Sequence, residues 1–352
     1  MQKKRNKKNE GFAPNNRVMN KKPEGVSAVF VSKHIVLFTV LTFSTIGIFI
    51  ASLLIGSVDI SAKQLLHALW VQDGSLESNV VLELRLPRTV VGFMVGAMLA
   101  LAGALMQVLL RNPLAEPYIL GISGGASVAV LTTMLLGLSG FWISGSAFIG
   151  AMISMLMVFG LAHGKGDWSP VRLLLTGIVI AAGWGALISL ILSITQGPQL
   201  RSMLFWLMGD LSYATYSNWS LLTLIGCLLV SLVIARSLNV LARGEMQAAT
   251  LGVSPKRVRY IVYFLSSMLA ASAVTLAGNV GFVGLIVPHM IRLMIGSDHR
   301  VLLPASFMLG GGLVMLADCL ARTVIAPQQL PVGVLTAIIG IPVFLVLLRR
   351  QL

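Results

Sequence analysis

The chain has 352 residues, 56% of them hydrophobic and 11% charged, with a formal net charge of +14. A soluble domain carries about 25% charged residues, so an ordinary soluble fold is excluded. Nucleic-acid binding is excluded by where the charge lies: nine of the 26 basic residues precede the first apolar run and most others sit between apolar runs, which is how membrane topology is set.

Residues 1–33 form a polar, basic N-terminal tail with KKRNKK at positions 3–8. It does not read as a signal peptide, because the basic part is long and no small-residue cleavage site follows. A membrane span needs about 20 apolar residues. The first predicted span covers residues 34–55, followed by an amphipathic segment at 61–71 and a polar stretch to Arg88. The second and third spans cover 89–110 and 118–138, separated by RNPLAEP. The fourth covers 146–163 and ends in HGKGDWSP, and the fifth covers 171–195. Residues 196–218 read as a mixed loop with short helical character. The sixth span, 219–235, leads into the charged insert LARGEMQAATLGVSPKRVR at 241–259. The seventh covers 260–277, and a short eighth, 281–295, carries Pro288. The ninth and tenth cover 302–320 and 332–348. The fold class is therefore an all-α polytopic membrane protein of about ten transmembrane helices.

Ten spans place both termini on one side, and the positive-inside rule tests the count. With the N-terminus in the cytoplasm, inner segments hold 21 Lys and Arg and outer segments hold five: Lys63, Arg85, Arg88, Arg201 and Arg322. A miscounted span would spoil this asymmetry, so the insert at 241–259 is cytoplasmic. Leu101-Ala102-Gly103 precedes Pro113 by the same spacing as Leu276-Ala277-Gly278 precedes Pro288. An inverted repeat of this kind is a transporter device.

Each motif has a plain structural reading beside a functional one. Arg85 and Arg88 at the outer mouth of the second span, and Arg322 at the outer end of the ninth, read as snorkelling anchors or as grips for carboxylates on a docking partner. Docking is the stronger reading, because a charge at a span end needs a reason. Gly121, Gly124, Gly125 and Ala126 read as a close-packing face. Gly121 to Gly125 also matches G-x-S-x-G, so an intramembrane serine protease using Ser123, with His289 as base, is the remote alternative. Asp298, His299 and Arg300 read as a solvated turn rather than a metal site. Cys227 and Cys319 lie in apolar runs without metal-ligand spacing and read as core residues. Within the insert, Glu245 to Leu251 reads as a short helix stopped by Gly252, with Ser254-Pro255 starting the next helix. It is longer than an ordinary helix connection and therefore touches something in the cytoplasm. No G-x-x-x-x-G-K-[ST] sequence occurs, so the chain has no phosphate-binding loop of its own. Asp318 is the main acidic residue inside a span. An ion-driven carrier would hold several ionisable groups there, so energy comes from elsewhere.

Residues 85–127, together with LARGEMQAATLGVS, GFVGLIVPHMIRL, DHRVLLP and QLPVGVLTAIIGIPVFLVLLRR, resemble permease subunits of binding-protein-dependent ABC importers for iron–siderophore complexes, haem and vitamin B12. The resemblance runs from about Val36 to Arg350. It implies a non-enzymatic permease domain at 34–350, with no cofactor or metal and with a cytoplasmic coupling loop at about 238–258. It also implies partners: ATP-binding cassette ATPases, an extracytoplasmic binding protein, a second permease copy or paralogue, and membrane lipid. The positions matching the ATPase-coupling loop are Ala242, Arg243, Gly244, Glu245, Gln247, Leu251, Gly252 and Ser254. Those matching binding-protein docking are Arg85, Arg88 and Arg322. The pathway is expected along the fifth span, with Thr176, Ser189 and Ser193 as its polar residues. The implied cargo is an iron(III)–siderophore-type complex, with vitamin B12 and haem as alternatives.

Overall fold

The computed structural model describes residues 24–56, 58, 60–71, 74–162, 169–212 and 216–349. The expectations for the basic tail up to residue 23 and for residues 163–168 lie outside the described residues. The described residues are helical throughout, in the order α1 (Glu24–Leu54), α2 (Ala62–Val71), α3 (Leu76–Asn79), a π-helical turn (Val80–Arg85) and α4 (Leu86–Leu109). A 3₁₀ turn (Pro117–Leu120) precedes α5 (Ile122–Leu135), α6 (Phe141–Ala162), α7 (Pro170–Ile194) and α8 (Pro198–Leu207). Then come α9 (Asn218–Val233), α10 (Ala235–Leu241), α11 (Glu245–Thr250), α12 (Pro255–Ala277), α13 (Val283–Ile295), α14 (His299–Thr323) and α15 (Val332–Arg349).

Six helical segments are long and apolar enough to cross a membrane, and the α9–α10 pair, bent by 61°, forms one more. Three shorter apolar helices, α5, α13 and α15, take the remaining places of the expected ten. Two of the short ones have visible causes. Gly121, in the left-handed region at φ +71, separates the 3₁₀ turn from α5 and shortens the third span. Phe282, also left-handed at φ +69, starts α13 late, and Pro288 lies within it. Residues 196–218, read as a mixed loop, contain the ten-residue helix α8.

The core is organised on α4, which is buried along most of its length and packs against α14, α12 and α13. Small residues allow this. A Cβ on Gly96 would lie 2.7 Å from the carbonyl carbon of Gly310, and one on Gly103 would lie 2.6 Å from Gly284 Cα. Helices in lipid gain little from hydrophobic exclusion and associate through such close backbone packing. The two Leu-Ala-Gly triplets occupy different settings. Gly103 lies mid-helix against α13, whereas Gly278 caps the end of α12 at φ +65. By contrast, α7 keeps Val171, Leu175, Ile178, Val179 and Leu190 exposed. An apolar helix this exposed within one chain faces lipid on one side and has room for a neighbour on another.

Candidate functional site

The cytoplasmic insert folds as a short helix between two breaks. After α10, Gly244 takes φ +131, a backbone conformation that side-chain-bearing residues rarely adopt, and α11 begins at Glu245. At the other end Gly252 takes φ +77. Its N–H donates to Ala249 O at 3.1 Å, and Val253 N–H donates to Ala248 O at 2.9 Å. These two bonds form a Schellman motif, so the glycine stop expected from sequence is present in detail. Ala248 is buried against the body, while Ala242, Arg243, Gln247, Leu251, Gly252 and Ser254 are exposed and Gly244 is half-buried. Met246 is 83% exposed and Leu251 67% exposed. Two large apolar side chains held out on a cytoplasmic helix form a contact surface in search of a partner.

Glu245 has a different job. Its carboxylate accepts from Arg111 Nη2 at 2.6 Å and pairs on its other oxygen with Arg259. Arg259 is buried at the start of α12, and Arg111 follows the end of α4. Glu245 therefore turns inward and ties α11 to two other elements. Arg111 occupies the left-handed region at φ 48, uncommon for a residue with a side chain. It stands at the position after the α4 cap: Arg111 N–H donates to Val108 O and Asn112 N–H to Gln107 O. This is again the Schellman arrangement, with arginine where glycine is usual.

The three outer arginines are buried within this chain. Arg85, Arg88 and Arg322 are 4%, 8% and 7% exposed. Arg85 Nη1 donates to Leu53 O and Leu54 O, both at 2.8 Å, and Nη2 donates to Val58 O. It thus satisfies the orphan carbonyls at the end of α1, where a cation also suits the helix dipole. Arg88 Nε donates to Asp318 Oδ1 at 2.9 Å and Nη2 to the same oxygen at 2.8 Å. Its Nη1 donates to Gln329 Oε1 at 2.7 Å. Arg322 Nε lies 3.1 Å from Asp318 Oδ2, and its Nη2 donates to Ser52 O at 3.2 Å. Asp318 is thus shared by two arginines from different helices, and the cluster fastens α1, α4 and α14 at one end. Guanidinium geometry suits this bidentate sharing.

On α7, Ser189 and Ser193 are exposed and donate to the carbonyls of Gly185 and Leu190 on their own helix, while Thr176 is half-buried. Ser123 is half-buried on the first turn of α5, and His289 is buried in α13. Among the described residues no hydrogen bond joins Ser123 to His289 and no strand exists to form a nucleophile elbow. Asp298 caps α14 by accepting from Arg300 N–H at 3.0 Å and from Asn239 Nδ2 at 2.7 Å. These partners make it a capped turn, but His299 is buried against Asn239 rather than solvated as read from sequence.

Residues 44–350 match the model of the FecCD transport family. The chain belongs to the FecCD family. It is similar to the hemin transport system permease protein HmuU of Yersinia pestis, 40% identical over 317 residues that cover 86% of this chain and 94% of that protein. It is equally similar to the cobalamin import system permease protein BtuC of Halobacterium salinarum, 40% identical over 301 residues, covering 84% and 81%. Among solved structures, an inward-facing conformation of a metal-chelate type ABC transporter shares its fold with a TM-score of 0.78 and 31% identity, covering 90% of this chain and 99% of that one. This FecCD protein is an ABC importer permease of the cytoplasmic membrane, multi-pass and without an ATPase site of its own. A FecCD permease of this kind works with ATPase and binding-protein subunits, and the protease alternative falls away.

Three residues of the site escaped sequence reading. Met246 could have been found as a large apolar side chain between Glu245 and Gln247 in a polar insert. Arg111 and Gln107 act through partners 134 or more positions away, at Glu245, Gly284 and Arg292, and carry no local signal.

Proposed function

We propose that this permease moves an iron(III)–siderophore-type chelate into the cytoplasm, driven by ATP hydrolysis in a separate subunit that docks on α11. The observation that carries the coupling half is α11 itself, with Met246 and Leu251 exposed on a helix that Glu245 fixes to the body. A docked groove would cover those two side chains, and the contiguous Ala242, Arg243, Gly244, Gln247, Gly252 and Ser254 would rim it. The coupling loop spans about residues 238–258 of a permease domain at 34–350. The exposed apolar surface of α7 supports pairing with a second permease copy or paralogue, with Thr176, Ser189 and Ser193 along the pathway between them. Docking of the binding protein is assigned to the outer end that carries Arg85, Arg88 and Arg322, whose guanidiniums also hold partners inside the chain.

The cargo reading rests on likeness to a metal-chelate type transporter. Haemin and cobalamin, named for two relatives, are bulky metal chelates as well and are the alternatives. The test is uptake into cells lacking their own permeases of this class, supplied with the cognate ATPase and binding protein. A radiolabelled ferric siderophore should accumulate only when the chain is present. Accumulation of haemin or cobalamin in its place would overturn the siderophore assignment.

A further inference from the structure

On successive turns at one end of α4, Gly103 and Gln107 meet α13 and Arg111 meets α11. Gly103 has no side chain, and the Gly284 backbone of α13 fills that space. Pro288 has no N–H, so the helix leaves the Gly284 carbonyl without its usual donor. Gln107 stands in for it: its Nε2 lies 3.5 Å from Gly284 O and 3.2 Å from Leu285 O. The other end of the same amide, Oε1, accepts from Arg292 Nη2 at 2.9 Å. One side chain of α4 therefore grips α13 on both sides of its proline. One turn on, Arg111 pairs with Glu245 at the first residue of α11. Arg111 adopts a left-handed backbone to stand there, a conformation that costs of order 1 kcal/mol and persists only where surroundings fix it.

We propose that Gln107 and Arg111 are positioning residues that make the end of α4 a transmission link, carrying ATPase-driven displacement of α11 to the proline-broken helix α13. The inference rests on the reading of α11 as the ATPase-docking helix. Two features suit α13 to be the moved part. It is short, at 13 residues, and its carbonyl ladder is interrupted at Pro288 and completed from α4. It can therefore shift relative to α14 or α15 only if α4 shifts with it, or if Gln107 lets go. Coupling of this kind needs a physical chain with two arrangements that both ends bias. The Glu245–Arg111 pair and the Gln107–Arg292 hydrogen bond supply the contacts at the two ends, and the last turn of α4 joins them.

The test uses the full permease–ATPase complex with a fluorophore at one new cysteine, since Cys227 and Cys319 are buried. One series carries the label at Thr250→Cys on α11, the other at Met294→Cys on α13, both exposed positions. Adding ATP with vanadate should change the emission of both labels. In Arg111→Ala and in Gln107→Ala, the α11 label should keep its response while the α13 response falls at least about fivefold, and Arg111→Lys should restore much of it. A full α13 response in both alanine variants, or none in the parent, overturns the link. If instead the α11 label ignores the ATPase in the parent chain, the docking reading has failed, and that result is separate from failure of the link. A variant that lost its fold would lose ATPase co-purification and both responses, whereas Arg111→Gly, which relieves the left-handed backbone while removing the pair, provides a second variant for the same comparison.

Discussion

Removing the Asp318 carboxylate should be among the most damaging single changes outside the helix contacts. Its side chain is 2% exposed and is the shared counter-ion of Arg88 and Arg322, which are themselves buried. In Asp318→Asn the two cations keep only neutral partners: Gln329 and Ser212 for Arg88, and Ser52 O with the residue 318 carbonyl for Arg322. Breaking a buried ion pair from one side costs about 3–5 kcal/mol, because the charge left behind is uncompensated. At 1.4 kcal/mol per factor of ten, that is roughly a hundredfold to several-thousandfold in the folding equilibrium. The assay is denaturant-induced unfolding in mild detergent, followed by the exposure of Cys319, which is buried in the same helix. The double variant Asp318→Asn, Arg322→Gln removes one cation as well and should recover at least about 1 kcal/mol of the loss, a non-additivity expected of contacting residues. A cost under about 1 kcal/mol for Asp318→Asn, or strict additivity in the double variant, would refute the reading of this cluster as a buried fastening.

Gly103→Ala should lower the thermal stability of the purified chain by the equivalent of about 3 kcal/mol, since the new Cβ meets Gly284 backbone rather than a flexible side chain. Gly47→Ala, where nothing lies within 4 Å, should be neutral or stabilising by up to about 1 kcal/mol. Equal melting temperatures for the two variants would contradict the close α4–α13 packing. Asp298 provides a pH test. Burial pushes its carboxyl up, but the bonds from Asn239 and Arg300 N–H and the charges of Arg300 and His299 outweigh this and hold it below the usual range. A carboxyl depressed in the folded state stabilises fully above its unfolded value of about 3.9 and loses that contribution as pH falls through the folded value. Asp298→Asn should therefore flatten the acid limb of the stability curve and leave its slope near neutral pH unchanged; an unchanged acid limb would count against it.

Much of the fold was legible because a bilayer leaves few choices. Apolar run length marked the spans, since unsatisfied backbone groups are costly in lipid. The α11 stop at Gly252 was legible too, because only a glycine readily takes that backbone conformation. The internal partners of the outer arginines were not. A charge at a span end reads the same whether it faces solvent or a partner inside the chain. Half of the answer was nonetheless local: Asp318 and Arg322 stand four apart on one helix, a spacing that pairs opposite charges. Its other half, Arg88, lies 230 positions from Asp318 and only tertiary packing brings it there. Glu245 was read within the coupling segment, and its pairing with two arginines from other elements had no local signal. Met246, beside it, is the side chain that points out.

The account stands on α11 being where an ATPase grips this permease. The direct measurement is co-purification of the cognate ATPase with the tagged chain, parent against Met246→Glu, read by stoichiometry after size-exclusion chromatography. Met246 is 83% exposed and makes no contribution to the core, so the variant should elute as the parent does. A charge placed in a desolvated contact costs about 2 kcal/mol or more, so bound ATPase should fall at least about tenfold. Full retention of the ATPase by Met246→Glu, or its absence from the parent chain, would contradict the account.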